Sequence, residues 1–135
     1  MTVLPVLFED HTLACFRPVC WSLPVPEVRC GMFSLRERVG LLVPSGGALA
    51  VRTLLVPLNA DPAWRPLAAA PPGPSLWLNG RLAPDFTLLA GLLEAADRGP
   101  FALTDAQGLL ALGAGAELGA AVAASWHRWL AAAAP

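Results

Sequence analysis

The chain has no lysine: all nine of its Lys/Arg positions are arginines, set against ten Asp and Glu for a formal net charge of −1. Without a net basic field or a cluster of cations interleaved with aromatics, nucleic acid is not expected as a partner. Three cysteines, Cys15, Cys20 and Cys30, make no CxxC pair and are odd in number. Reduced, buried thiols in a cytoplasmic protein are therefore expected, and no zinc site. Residues 1–16 have no positive leading region and carry Glu9, Asp10 and His11, which argues against a signal peptide. The longest nearly uncharged run, residues 106–126, is interrupted by Gln107, Glu117 and several glycines, so no membrane span is expected. His11 and His127 are the only histidines, and neither has a Ser or Cys at recognisable spacing, which removes support for a hydrolase triad.

What is present is apolar: 56% hydrophobic residues against 14% charged, in 135 residues, enough for one domain with a real core. Part of that surplus is expected to cover a face that another domain buries.

Residues 18–38 stand apart from the Ala/Leu-rich remainder. Pro18, Pro24 and Pro26 predict an ordered, non-repetitive loop over residues 18–26. Ser34 followed by Glu37 reads as a capping box opening a helix, and Gly31 lets the backbone turn sharply or approach a ligand. The loop thus delivers Arg29 and Gly31 to a helix N-terminus, where free amides and the dipole favour an anion. The alternative is a structural crossover in which Arg29 pairs with Glu27 or Glu9.

Pro18, Val19, Pro24, Val25, Glu27, Val28, Arg29, Gly31, Ser34, Arg36 and Glu37 fall on the pattern Pro-Leu-Thr-x-Thr-Arg-Pro-Val-x-Glu-Leu-Arg-x-Gly-x-x-Thr-x-Arg-Glu. Phe8, Glu9 and Asp10 match a strand end, and residues 76–84 match Leu-Tyr-Ile-Asn-Gly-Arg-Leu-Leu-Pro. In these segments the chain resembles the N-terminal sugar nucleotidyltransferase-like domain of alternative bacterial N-acetylglucosamine-1-phosphate uridyltransferases and related glucose-1-phosphate thymidylyltransferases. It departs from the pattern at Leu23, where the family has an arginine, and at Cys20, where a threonine is usual. It also has Arg81 after Gly80, where classical members have a metal-binding aspartate.

The remaining elements follow from periodicity and turn chemistry. Residues 3–8 read as a strand, with Pro5 arguing for an edge or a strand start and the resemblance arguing for the sheet centre. Residues 35–42 read as a helix, 49–56 as a strand and the proline-rich 57–75 as a loop. Residues 76–78 begin a strand. Asn79-Gly80 is a type I′ hairpin signal by turn chemistry and a strand end by resemblance. Asp85 is the expected N-cap of a helix over 86–97, with Phe86, Leu89 and Leu93 on one stripe and Leu88 and Leu92 beside it. A hairpin of 101–104 with 109–112 and a helix over 117–133, its apolar face bearing Leu118, Val122, Trp126, Trp129 and Leu130, complete the chain. Residues 113–119 resemble a dinucleotide fingerprint but lack its glycine spacing.

The order of elements is α/β. With the resemblance it becomes an incomplete Rossmann-like nucleotidyltransferase-type sheet with flanking helices and a β-hairpin. Residues 1–135 are then the N-terminal part of one such domain, with a C-terminal β-helix acyltransferase domain as a possible partner. The resemblance implies nucleotidyl transfer from UTP or dTTP to a sugar 1-phosphate, supplying nucleotide sugars for cell-envelope precursors, with Mg2+ as a possible cofactor. Arg29, Gly31, Arg36, Arg17 and Glu27 are its expected nucleotide- or phosphate-binding residues; no metal ligand is identifiable. Leu23, Arg81 and the missing lysine favour an alternative, a non-catalytic nucleotide-sugar-binding or assembly domain, and the isolated chain is expected to be inactive.

Overall fold

A computed structural model describes residues 3–58 and 61–131. Its centre is a six-stranded sheet in the order β5-β4-β1-β6-β8-β7, made from β1 (Leu4–Phe8), β4 (Gly47–Ala50), β5 (Trp64–Pro66), β6 (Ser75–Asn79), β7 (Phe101–Asp105) and β8 (Gly108–Ala114). The pairs β5·β4, β4·β1 and β1·β6 are parallel, and β8 joins β6 and β7 antiparallel. A separate two-stranded ribbon, β2 (Arg29–Cys30) and β3 (Phe33–Ser34), precedes the first helix.

Strand alternation divides the core. Leu7, Leu49, Leu76 and Leu78 face a cluster with Leu35 and Val39 of α1 (Leu35–Leu42) and with Leu89, Leu92 and Ala96 of α2 (Phe86–Arg98). Val6, Phe8, Ala48, Ala50 and Trp77 face the opposite cluster, with Val122 of α3 (Ala116–Ser125) and with Trp129 of α4 (His127–Ala131). Both faces are covered, as a mainly parallel sheet requires. Phe8 and Trp77 meet Trp129 edge-on, at centroid separations of 4.9 and 6.2 Å.

The α/β class is as the sequence predicts, while several local expectations are corrected. Of the alternatives at Pro5 the edge fails, while the strand start and the sheet centre expected from the resemblance hold: β1 is central, Pro5 is its second residue, and its ladder with β4 begins at Val6, so the N–H missing from Pro5 falls outside that ladder. Asn79-Gly80 is a strand end, with Gly80 N–H donating to Phe8 C=O at 2.8 Å, and no hairpin follows because the chain turns into the Asp85-capped α2. The strand expected over 49–56 stops at Ala50, and Thr53–Leu58 is a 3-10 helix, because Glu9 captures the Arg52 amide. The expected loop 57–75 contains β5, anchored by buried Trp64; residues 59–60 lie outside the described region. The final helix breaks at Trp126 into α3 and α4, and the expected residues 132–133 lie outside the described region. Leu118, Phe86 and Leu88 are exposed instead of core-facing. Cys20 is buried as expected, but Cys15 and Cys30 are exposed. Among the described residues no helix is long and apolar enough to cross a membrane.

Candidate functional site

In open α/β sheets ligands bind beyond the C-terminal ends of parallel strands, where the strand order reverses. In this sheet the reversal falls at β1 and β6, since the chain runs outward from β1 through β4 to β5 and then crosses to β6 on β1's other side. Glu9 and Asp10 leave β1 there, and Asn79 ends β6.

Both carboxylates are fully occupied. Glu9 is buried and accepts from Val25 N–H (2.7 Å), Arg52 N–H (3.1 Å), Arg52 Nε (2.8 Å) and Arg52 Nη2 (3.0 Å). Those bonds hold the Arg52 guanidinium above its usual pKa. Asp10 accepts from the Thr12 amide and hydroxyl on Oδ1 and from Asn79 Nδ2 on Oδ2, the last at 2.7 Å. Arg81 makes a bidentate pair with Asp105, at 2.6 and 2.8 Å, and its hydrogen bonds push the Asp105 carboxyl down to about 2.

The segment from β1 to β2 folds as three short 3-10 turns, His11–Phe16, Val19–Trp21 and Val25–Glu27, laid over the strand ends. Its contact with the sheet is close: a Cβ on Gly80 would lie 2.7 Å from Pro26 Cδ and 2.9 Å from Pro26 N. The chain then reverses at Gly31-Met32, a two-residue hairpin turn for which Gly31 supplies φ +78°. The loop expected over 18–26 is thus built around 3-10 turns, and a ribbon follows it, because Arg29 and Cys30 find strand partners in Ser34 and Phe33.

Ser34 caps α1: its Oγ accepts from Glu37 N–H at 3.2 Å and its own N–H donates to Glu37 Oε2 at 2.8 Å. The Ser34 amide, with Arg29 and Arg36 adding to it, holds the Glu37 carboxyl below its ordinary pKa. The next two helical positions after Leu35 pair back to the preceding segment with charges exchanged. Arg36 donates through Nε to Glu27 and through Nη1 to Asp61 (2.7 Å), while Glu37 accepts from Arg29 Nη2 at 3.0 Å. Arg29 therefore pairs with neither Glu27 nor Glu9.

A cleft of about 620 Å³ is lined by the polar Glu27, Arg29, Ser34, Arg36 and Glu37 and by the apolar Val19, Leu23 and Val28. Of the residues expected from sequence, Glu27, Arg29 and Arg36 meet here. Gly31 lies at the ribbon tip, and Arg17, exposed at the end of the first 3-10 turn, lines neither this cleft nor the smaller one beside it. A third cleft, about 370 Å³, shares Arg36 and Glu37 and carries the apolar Phe33, Leu41 and Trp64.

The sugar nucleotidyl transferase family model matches residues 5–123. The chain belongs to that family. Neither a curated protein nor a solved structure matches it. Family membership brings nucleotidyl transfer, with nucleotide and sugar phosphate as the substrate classes. Tested against the donor set, a divalent cation finds little to hold it in this nucleotidyl transferase. Asp10 has both oxygens engaged, Arg81 stands beside Asn79, and no group of three His, Cys, Asp or Glu assembles among the described residues. The residues present do not fit a protein-held Mg2+.

Sequence reasoning missed Arg52, Asn79 and Arg38. Arg52 lay in an apolar run that read as strand, and no spacing rule links it to Glu9, 43 positions earlier. Arg38 lies one residue past the matched pattern and donates to the carbonyls of Pro84 (2.8 Å) and Cys30.

Proposed function

We propose that this domain transfers the nucleotidyl group of UTP or dTTP to a sugar 1-phosphate with release of pyrophosphate, as in the N-acetylglucosamine-1-phosphate uridyltransferase and glucose-1-phosphate thymidylyltransferase branches that it resembles, and that it forms the N-terminal part of such an enzyme. The observation that carries the reading is the 620 Å³ cleft, whose lining combines Arg29 and Arg36 with the apolar Val19 and Leu23. Its size suits a nucleotide, since ligand pockets span about 300–1,000 Å³. Phosphoryl transfer asks mainly for positioning and charge stabilisation. With no lysine in the chain, that work falls to arginines, whose forks match phosphate geometry.

Among the described residues both guanidiniums keep unused donors. Arg29 engages Nη1 with Met32 C=O and Nη2 with Glu37, leaving Nε; Arg36 engages Nε and Nη1, leaving Nη2. Glu27 and Glu37 hold the two cations in place before substrate arrives. Gly31 lets the ribbon turn tightly enough for Arg29 to face the cleft.

Calorimetric titration of UTP and dTTP into wild type and Arg29→Ala tests the site. The Arg29–Glu37 pair is largely exposed, so the variant should fold normally. It should lose about 1.5–3 kcal/mol of nucleotide affinity, the range for hydrogen bonds to charged groups. Pyrophosphate release from the same nucleotides plus a sugar 1-phosphate reports the reaction. Equal affinities in the two proteins would remove Arg29 from the site, and no binding by wild type would overturn the reading.

A further inference from the structure

Five of the eight described residues that line the nucleotide cleft lie between Val19 and Arg29, in the segment laid over the strand ends and the ribbon strand it leads into. Where that segment sits therefore decides the shape of the cleft. Its sequence gives it few donors to hold on with, because Pro18, Pro24 and Pro26 have no amide hydrogen. Between Pro24 and Pro26 the one N–H belongs to Val25.

Among the described residues, two hydrogen bonds tie residues 18–26 to the strand exits, and both end on one ion pair. Val25 N–H donates to Glu9 Oε1 at 2.7 Å, and Leu23 C=O accepts from Arg52 Nη2 at 3.4 Å. Arg52 in turn holds Glu9 through Nε and the same Nη2, at 2.8 and 3.0 Å. One guanidinium nitrogen thus bridges the carboxylate that follows β1 and the main chain of the cleft wall. The Glu9 side chain is fully buried, and a forked, charge-assisted contact fixes direction as well as distance. Neither Glu9 nor Arg52 lines the cleft, so they reach a ligand only through the residues they hold.

Resting on the nucleotide reading above, the geometry points to Arg52 as a positioning residue for the transfer reaction: through Glu9 and the Leu23 carbonyl it sets the place of the wall that carries Leu23, Glu27 and Arg29. The role needs the guanidinium fork. A lysine would bring its charge to Glu9 as a point, with no second arm for Leu23. Placement of this kind matters to the chemistry because a shift of about 1 Å in a substrate-holding group costs on the order of 10²-fold in rate.

Arg52→Lys keeps the charge and drops the fork, so it separates positioning from plain stability. With the folded fraction fixed by urea denaturation, its UTP affinity should fall about fivefold or more by calorimetry. Leu92→Ala, a core change in α2 away from the cleft lining, should lose stability yet keep UTP affinity within about twofold. Amide exchange without ligand reads the wall directly: in Arg52→Lys the Val25 and Val28 amides should exchange about tenfold faster relative to those of β6. Glu9→Gln, which keeps an acceptor for Val25, gives a second route to both readouts. In wild type, UTP should shift the side-chain 15N resonance of Arg29 Nε and leave that of Arg52 in place. An Arg52 shift as large as Arg29's would make Arg52 a ligand contact and overturn the assignment. Unchanged UTP affinity in Arg52→Lys, a loss no larger than that of Leu92→Ala, or unaltered amide exchange would overturn it too. Wild type binding neither UTP nor dTTP, with the faster exchange present in Arg52→Lys, would instead sink the nucleotide reading alone.

Discussion

Arg52 holds Glu9 by its backbone amide, Nε and Nη2 together, and the same buried carboxylate takes the amide of Val25 in the segment laid over the sheet. One side chain at the end of β1 therefore fixes both the neighbouring β4 exit and the polypeptide that carries Glu27 and Arg29.

Opening that pair should be costly. Removing one partner of a buried ion pair costs about 3–5 kcal/mol. Arg52→Ala should fall near the low end, about 3 kcal/mol, because the guanidinium is 24% exposed and Glu9 keeps Val25. Urea denaturation measures it; a loss below about 1 kcal/mol would mean that Glu9 reaches water when unpaired, and that the anchor is weaker than its geometry.

Replacement of Ser34 separates capping from packing. Ser34→Ala should cost about 0.5–2 kcal/mol, whereas Ser34→Gly, which loses the hydroxyl but suits an N-cap backbone, should cost only a few tenths. The residue is buried, so if packing of the Cβ dominates, glycine would be the worse substitution. Thermal denaturation of both variants decides between the two.

Gly80→Ala puts a methyl against the Pro26 ring and backbone nitrogen. A proline ring has no rotamer to retreat into, so the segment itself must lift, at about 1–3 kcal/mol for overpacking. Because Glu27 and Arg29 travel with it, UTP affinity should fall in the same variant. Unchanged stability and affinity would show that the segment slides freely over the strand end.

Asp105 gives a pH signature. Its folded pKa, about 2, lies below the ordinary carboxylate value of 3.8, so its pairing with Arg81 favours the folded state above that ordinary value. The contribution is lost as pH falls toward 2. The stability difference between wild type and Asp105→Asn should be constant from neutral pH down to about 4 and shrink below it. A difference that persists undiminished at the acid end would assign it to a neutral hydrogen bond.

Local chemistry was legible in the sequence wherever it is short-range. Ser34 and Glu37, three residues apart, announce a capping box, Asp85 announces an N-cap, Gly31 marks a sharp turn, and the short continuous apolar run at residues 3–8 marks a buried strand. The matched pattern also named Glu27, Arg29 and Arg36, which share one cleft. Tertiary structure alone decided which charges pair. Glu27 pairs with Arg36, nine positions on and shared with Asp61, over the Arg29 two residues away, because the ribbon turns Arg29 toward Glu37 instead. It also decided that Glu9 meets Arg52 and that Asn79 closes on Asp10 across 69 positions. Ion pairs are set by distance in space, which a crossover of the chain can make short for residues at any separation. Composition supplied nine arginines and no lysine; only the packing of the ribbon against the β6 end gathered three of them around one small cleft.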